Sequence, residues 1–403
     1  MRYALGVGCS RFCPPEELIA LVNSTLAEAG LSIYEVAGIW SLDLKADEAA
    51  IHALADNLGV SARFFDATTL EQETPRLSAP SERVFKEVGC HGVAEGAALA
   101  AAGPDAELTV TKRRSASATC AVARIGQGGA NGRPRGRLAI VGIGPGQSDW
   151  RTPEASRLIA ESDEIVGYRL YLDLLCPLAK SRSQKTFPLG AEEERCRYAL
   201  DRAGEGRKVA LVCSGDAGIY AMGALVMELL ENSRDGTDLS TAARRVEIIS
   251  VPGITAMQAA SARAGALLGH DFCAISLSDL MTPRDTILSR VRAAAEGDFV
   301  IAFYNPVSKR RRTLLDEAKR LLLRHRPAET PVILSTSVGR CDERHQATTL
   351  GQLSSEAADM LTVVLVGSST SRAVWLGDQA AGIAGQMFFT PRGYLDKGAV
   401  LSA

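Results

Sequence analysis

Three apolar runs constrain this chain more than any other feature: VALVC at 209–213, FVIAFY at 299–304 and LTVVLVG at 361–367. A strand with one wet face alternates polar and apolar residues, so unbroken runs of this kind point to strands of parallel sheets covered on both faces. Between 138 and 367 the pattern gives strands at 138–142, 164–167, 208–213, 246–251, 272–277, 298–304, 331–336 and 361–367. Helices are expected at 153–162, 191–203, 218–231, 255–265, 284–295 and 309–324. That alternation is the signature of an α/β fold, in which ligands bind outside the carboxyl ends of the strands.

The 403 residues also divide. Residues 125–137, IGQGGANGRPRGR, hold five glycines, one proline and three arginines. Such a stretch cannot contribute to a core and is expected to be a flexible linker. Ahead of it, 1–124 alternates strand and helix on a smaller scale: strands at 3–7, 35–39 and 107–111, helices at 14–29, 48–58 (closed by Gly59) and 94–102. The expectation is a small α/β domain, the linker, and a larger α/β domain over 138–403 with two lobes dividing near 250.

Composition excludes several functions. A formal net charge of −2 argues against a general nucleic-acid partner. Nine scattered cysteines without a CxxC pair suit reduced thiols in a cytoplasm. MRYALGVGCSRF lacks the apolar core of a signal peptide, and the apolar stretch 209–230 is interrupted by Asp216, Glu228 and glycines. A cytoplasmic protein with no membrane partner is expected. Five well-separated histidines predict no protein-built metal site.

Four glycine- or proline-marked stretches lie at strand ends. In AIVGIGPGQSDWRTPEA (139–155) the glycines are Gly142, Gly144 and Gly146, with Pro145 between the last two. Neither a dinucleotide fingerprint nor a P-loop fits, because no lysine follows and Glu164 precedes the next strand instead of ending it. The helix starts late, with Thr152 as N-cap and Pro153 behind it, so its positive end does not point out of the turn. From the pattern alone the loop is either a tight turn or a phosphate-free ligand loop. In CSGDAGIY (213–220), Asp216 could cap the next helix or accept from ligand hydroxyl and amine groups. VPGITA (251–256) opens an alanine-rich helix with Thr255 as N-cap, and FYNP (303–306) precedes the basic run Ser308-Lys-Arg-Arg-Arg312. That run is either a solvated face or a field for a polyanionic substrate, to which Arg340, Arg344 and His345 could add.

Taken in order, these stretches resemble the tetrapyrrole (corrin/porphyrin) methyltransferases. The likeness rests on VGIGPG…TPEA, EIVGYRLYLDLL (164–175), SGDAGIYAMG (214–223), VPGITAMQAA…GALLGHDFCAISLSDLMTP (251–283) and FYNPVSKRR (303–311), within about 138–393. It is strongest to the members that methylate C-17 of precorrin-3B. The resemblance implies S-adenosylmethionine as cofactor, a tetrapyrrole substrate, and methylation with ring contraction to precorrin-4 in cobalamin biosynthesis. It also implies a homodimer. It assigns the cofactor to Pro145, Ser214, Gly215, Asp216, Ile219, Thr255, Ala256, Tyr304, Thr348 and Thr349. The substrate's carboxylates would meet Arg284, Lys309, Arg310 and Arg311. Proton handling in the contraction would fall to His270, Asp271, Asp279 or His345, each of which also has a purely structural reading. Cobalt-factor III is the alternative substrate, and a non-catalytic tetrapyrrole carrier the alternative of another class; a carrier has no need of a methyl-donor pocket.

The first domain resembles the C-terminal domain of cobalamin biosynthesis protein G through LGVGCSRFCPPEELIALV (5–22), VGCHGVAEGAALAAAG (88–103) and LTVTKRRSASATCAVAR (108–124). Ser10, Arg11, Cys90, His91, Glu95 and Lys112 are candidates for a small polar pocket there, or for turn packing.

Overall fold

The computed structural model describes residues 1–232, 239–308, 312–377 and 382–394. The first sheet holds β1 (Tyr3–Cys9), β2 (Val36–Leu42), β3 (Ala62–Phe65), β4 (Leu108–Arg114) and β5 (Ala118–Arg124) in the order β3-β2-β1-β5-β4. β1, β2 and β3 run parallel, and β5 lies antiparallel to both β1 and β4. The helix Val93–Ala102 crosses one face so closely that a Cβ on Gly6 would sit 1.9 Å from the Ala94 carbonyl oxygen. Small side chains are therefore required on both surfaces, and Ala4, Ala121 and Ala123 meet Ala94, Ala97, Ala98 and Ala101 there. The helices Pro15–Glu28 and Ala49–Leu58 bury Leu18, Val22, Leu26, Ile51 and Leu54 on the other face. Gly59 closes the second in the left-handed conformation, at φ 65°.

The segment 125–137 differs from the expected free linker. Gly126 and Ala130 donate to the carbonyls of Ala102 and Ala100, and Arg133 exchanges two backbone bonds with Phe64. Trp40 Nε1 donates to the Asn131 carbonyl at 3.2 Å, and Arg135 Nε to that of Arg245 at 2.8 Å. Its glycines permit this contact: a Cβ at Gly129 would lie 2.1 Å from the Ala101 oxygen. A glycine-rich stretch whose one strongly apolar residue, Ile125, packs against the first domain can be held for the rest of its length by its backbone.

The second sheet contains β6 (Arg137–Gly142), β7 (Glu164–Tyr168), β8 (Ser183–Phe187), β9 (Lys208–Cys213) and β10 (Glu247–Val251), ordered β10-β6-β9-β7-β8 and parallel throughout. Beyond β11 (Gly265–Ala266) the third main sheet holds β12 (Phe272–Ser276), β13 (Val300–Tyr304), β14 (Pro331–Thr336), β15 (Arg344–Thr349) and β16 (Thr362–Val366), ordered β12-β13-β16-β14-β15. Here only β12 and β13 are parallel; β16, the run LTVVLVG, is antiparallel to both neighbours. Its residues are buried on both faces, which is all an apolar run dictates. β17 (Arg372–Trp375) and β18 (Gln386–Phe389) form a small sheet with β11.

The expected strands of 138–367 are present. Those the apolar pattern overlooked are polar or short: β8 is SQKTF, with its first four residues exposed, and β15 is RHQATT. Thr152 caps the helix Pro153–Glu161 through its side chain at 3.1 Å. The helix expected from 218 begins at Met222, after a turn around Asp216 and Tyr220. Among the described residues no helix is long and apolar enough to cross a membrane.

Candidate active site

The three glycine loops meet at the carboxyl ends of β6, β9 and β10. A Cβ on Gly142 would stand 2.6 Å from the Gly215 oxygen and 3.0 Å from Gly253 N, and one on Gly253 only 2.1 Å from the Gly215 oxygen. Gly144 and Gly215 exchange backbone bonds at 3.1 and 2.8 Å. The glycines of GIGPG therefore serve backbone-to-backbone contact. Asp216 ties the same loops together: Oδ1 accepts from Gly218 N at 2.8 Å and Oδ2 from Gly253 N at 3.0 Å. Glu164, at the opposite end of β7, is buried and accepts from Tyr198 Oη at 2.6 Å and Arg202 Nε at 2.9 Å, so it is no ribose-binding acid.

A cleft of about 190 Å³ opens between these loops and the carboxyl ends of β13 and β14. Pro145, Ser214, Gly215, Asp216, Ile219, Thr255, Ala256 and Tyr304, all expected cofactor contacts, line it. Tyr304 Oη bonds the Thr255 hydroxyl and accepts from Met257 N at 3.1 Å, which fixes the start of the helix Ala256–Ala264 against β13. Burial pushes the Tyr304 phenol above its usual range, so it remains a neutral donor. The Cys213 thiol, pushed up to about 11 by burial, is neutral as well.

The cleft is also lined by Tyr171, Tyr220, Asn305, Ser337, Arg340 and the stretch Met360–Val363. The sequence marks Arg340 only as part of a positive field and holds Tyr171, Tyr220 and Asn305 within its quoted stretches without a role, while Ser337 and Met360–Val363 carry no signal. Tyr220, Asn305 and Ser337 have φ of 51°, 50° and 52°, a left-handed backbone unusual for such residues. Strain of this kind collects at binding sites, where the surroundings hold it in place. Tyr220, Met360 and Leu361 are exposed at the rim, giving the cleft an apolar mouth.

Several expected residues lie elsewhere. Thr348 and Thr349 line a separate groove between β15 and β17, because an antiparallel strand carries its later residues away from the cleft end of β14. His270 and Asp271 precede β12, about 15 Å of strand from the cleft end of that sheet. Asp279 is in the loop after β12, at the cleft end but outside the lining. His345 also sits outside it, with Nδ1 on Ser335 Oγ at 2.9 Å and Nε2 on Glu343 Oε1 at 2.5 Å. Arg284 is paired with Glu317 and Thr313, away from the lining. Lys309, Arg310 and Arg311 lie outside the described residues.

In the first domain the candidate pocket residues are engaged with the domain itself. Arg11 forks onto Asp47 at 2.7 and 2.9 Å and reaches Glu48 at 3.0 Å. Glu95, 2% exposed, accepts from Ser78 N, Ser78 Oγ and Lys112 N. His91 Nδ1 is 2.9 Å from Glu71, Lys112 Nζ donates to the Ala79 carbonyl, and Ser10 N donates to that of Ser117. Cys90 is buried, its thiol pushed up to about 11.

Residues 137–354 match the family described as tetrapyrrole (corrin/porphyrin) methylases, and residues 3–123 match the cobalamin synthesis G C-terminus. The chain belongs to the tetrapyrrole methylases, with the second domain type fused ahead of the methylase. It is 42% identical over 259 residues to a precorrin-3B C(17)-methyltransferase of a Sinorhizobium species, covering 64% of this chain and 97% of that protein. It is 40% identical over 257 residues to a probable cobalt-factor III C(17)-methyltransferase of Salmonella typhimurium, covering 64% and 99%. Among solved structures the methyltransferase CobJ aligns with a TM-score of 0.57 at 37% identity, over 64% of this chain and all of that one.

Proposed function

We propose that the cleft binds S-adenosylmethionine and that the enzyme methylates C-17 of precorrin-3B with ring contraction to precorrin-4. The observation that carries this reading is the lining itself. Glycine loops without a lysine, together with one carboxylate, the Arg340 guanidinium, several hydroxyls and the start of the helix Ala256–Ala264, suit a cofactor that carries hydroxyls, an amine and a carboxylate. S-adenosylmethionine, when bound, supplies a methyl group activated by a positive sulfonium. Backbone groups of 214–219 would hold its amino-acid and ribose parts, with Asp216 keeping the loop in place, and Thr255, Ala256 and Tyr304 would flank the rest. The apolar rim of Tyr220, Met360 and Leu361 suits the face of a macrocycle. The protein's task in the transfer is alignment, bringing a nucleophilic carbon to about 3–3.5 Å of the methyl and excluding water.

Near-equal identity to the two C(17)-methyltransferases favours a second substrate, cobalt-factor III, almost as well. Incubation with methyl-labelled S-adenosylmethionine and either metal-free precorrin-3B or cobalt-factor III separates the two. Label in one macrocycle identifies the substrate; label in neither refutes the reading and leaves a carrier. The family resemblance supports a homodimer, and the composition a cytoplasmic setting without nucleic acid; size-exclusion chromatography with light scattering tests the first.

A further inference from the structure

We propose that Arg340 is the anion-recognition group of the cleft, taking a carboxylate of the bound ligand through its two terminal nitrogens. The identity of that ligand rests on the methyl-transfer reading; the geometry does not. Arg340 comes from the loop between β14 and β15 and crosses to the other lobe, where its Nε donates to the Pro145 carbonyl at 3.2 Å. Its stem passes over Gly146: a Cβ there would lie 2.7 Å from Arg340 Cγ and 2.3 Å from the Gly339 oxygen. The last glycine of GIGPG thus admits an arginine arm.

The arm is held by the protein's own groups. Glu343 Oε2 accepts from Gly339 N at 2.7 Å, Arg340 N donates to the Ser337 carbonyl at 3.0 Å, and Ser337 Oγ donates to Asp342 at 2.9 Å. Glu343 also accepts from Arg263 Nε at 2.7 Å, and that guanidinium lies 4.5 Å over the Trp150 ring and reaches Gln147 at 3.2 Å. Both lobes therefore set the position of one loop.

Among the described residues the terminal nitrogens of Arg340 have no hydrogen-bond or ion-pair partner. Asp216, the acid of the lining, is already bonded to Gly218 and Gly253. A fixed guanidinium with two free N–H edges in a partly desolvated cleft is complementary to a carboxylate in a bidentate pair. Both ligands of the proposed reaction carry carboxylates, the tetrapyrrole at its periphery and the cofactor at its amino-acid end.

Two binding measurements on the full chain distinguish these sources. Uroporphyrin III, an octacarboxylic tetrapyrrole, is followed by fluorescence, and S-adenosylhomocysteine by calorimetry, for wild type, Arg340→Gln and Arg340→Lys. The Gln variant should lose about ten- to hundredfold in affinity for one ligand and less than about twofold for the other, with Lys restoring part of the loss. The ligand affected names the source of the carboxylate. Unchanged affinity for both, or equal loss of both with a lowered Tm, overturns the proposal. Neither readout needs turnover, so an inactive wild type that keeps the split would refute the methyl-transfer reading alone.

Discussion

The polar residues of the first domain and those of the methylase cleft look alike as a list but differ in what their hydrogen bonds do. Arg11, His91 and Glu95 are bonded to groups of their own domain. In the cleft, the terminal nitrogens of Arg340 meet no partner among the described residues, and Tyr220, Asn305 and Ser337 hold left-handed backbones along its wall. A polar cluster whose capacity is used internally stabilises a fold; one with capacity left over is poised for a ligand.

The strongest way to break this contrast is Gly253→Ala. The new Cβ would stand 2.1 Å from the Gly215 oxygen and 2.9 Å from Gly142 C and O, all backbone atoms that no rotamer can move. A loss of roughly 2–3 kcal/mol in thermal unfolding is expected, with methyl transfer below detection. In the first domain, Glu95→Gln should cost about 1–3 kcal/mol, because three donors point at a buried carboxylate. Its methyl-transfer rate should stay at the wild-type value, and a fall would show that the two domains act as one unit.

Tyr304→Phe sharpens the cleft side. It leaves Met257 N without its acceptor and frees Thr255, so S-adenosylhomocysteine should bind about three- to tenfold more weakly while the Tm moves little. The smallest effect is a pH dependence of the first domain. A hydrogen bond from His91 Nδ1 to the Glu71 carboxylate holds the imidazole above its ordinary 6.5, and the same bond holds Glu71 below its ordinary 4.5. The raised His91 contributes stability below 6.5 that is lost as pH rises through its folded value; the lowered Glu71 contributes above 4.5 and is lost as pH falls. The pair therefore helps most between those values, and His91→Asn should flatten the decline in chemical-denaturation midpoint as pH rises from 6.5 through the folded value of His91.

How much of this was legible in the sequence follows from the same physics. Apolar runs and caps placed the main strands and helices, and ordered glycine motifs placed one wall of the cleft, because close backbone approach demands glycine. Tyr171, Asn305 and Arg340 arrive from separate strand ends, and only the assembled sheets bring them to one cleft. A left-handed Ser337 leaves no mark that a serine elsewhere lacks. Thr348 and Thr349 show the converse: positions read without the direction of their strand lie in a different groove from the other expected contacts. Polar β15 was itself invisible to an apolar pattern.

The two grooves also give the most direct test, a crystal structure of the full chain with S-adenosylhomocysteine. The account predicts the ligand between 214–219 and Thr255–Ala256, with Tyr304 against it. Ligand density beside Thr348 and Thr349, with the cleft empty, would contradict it.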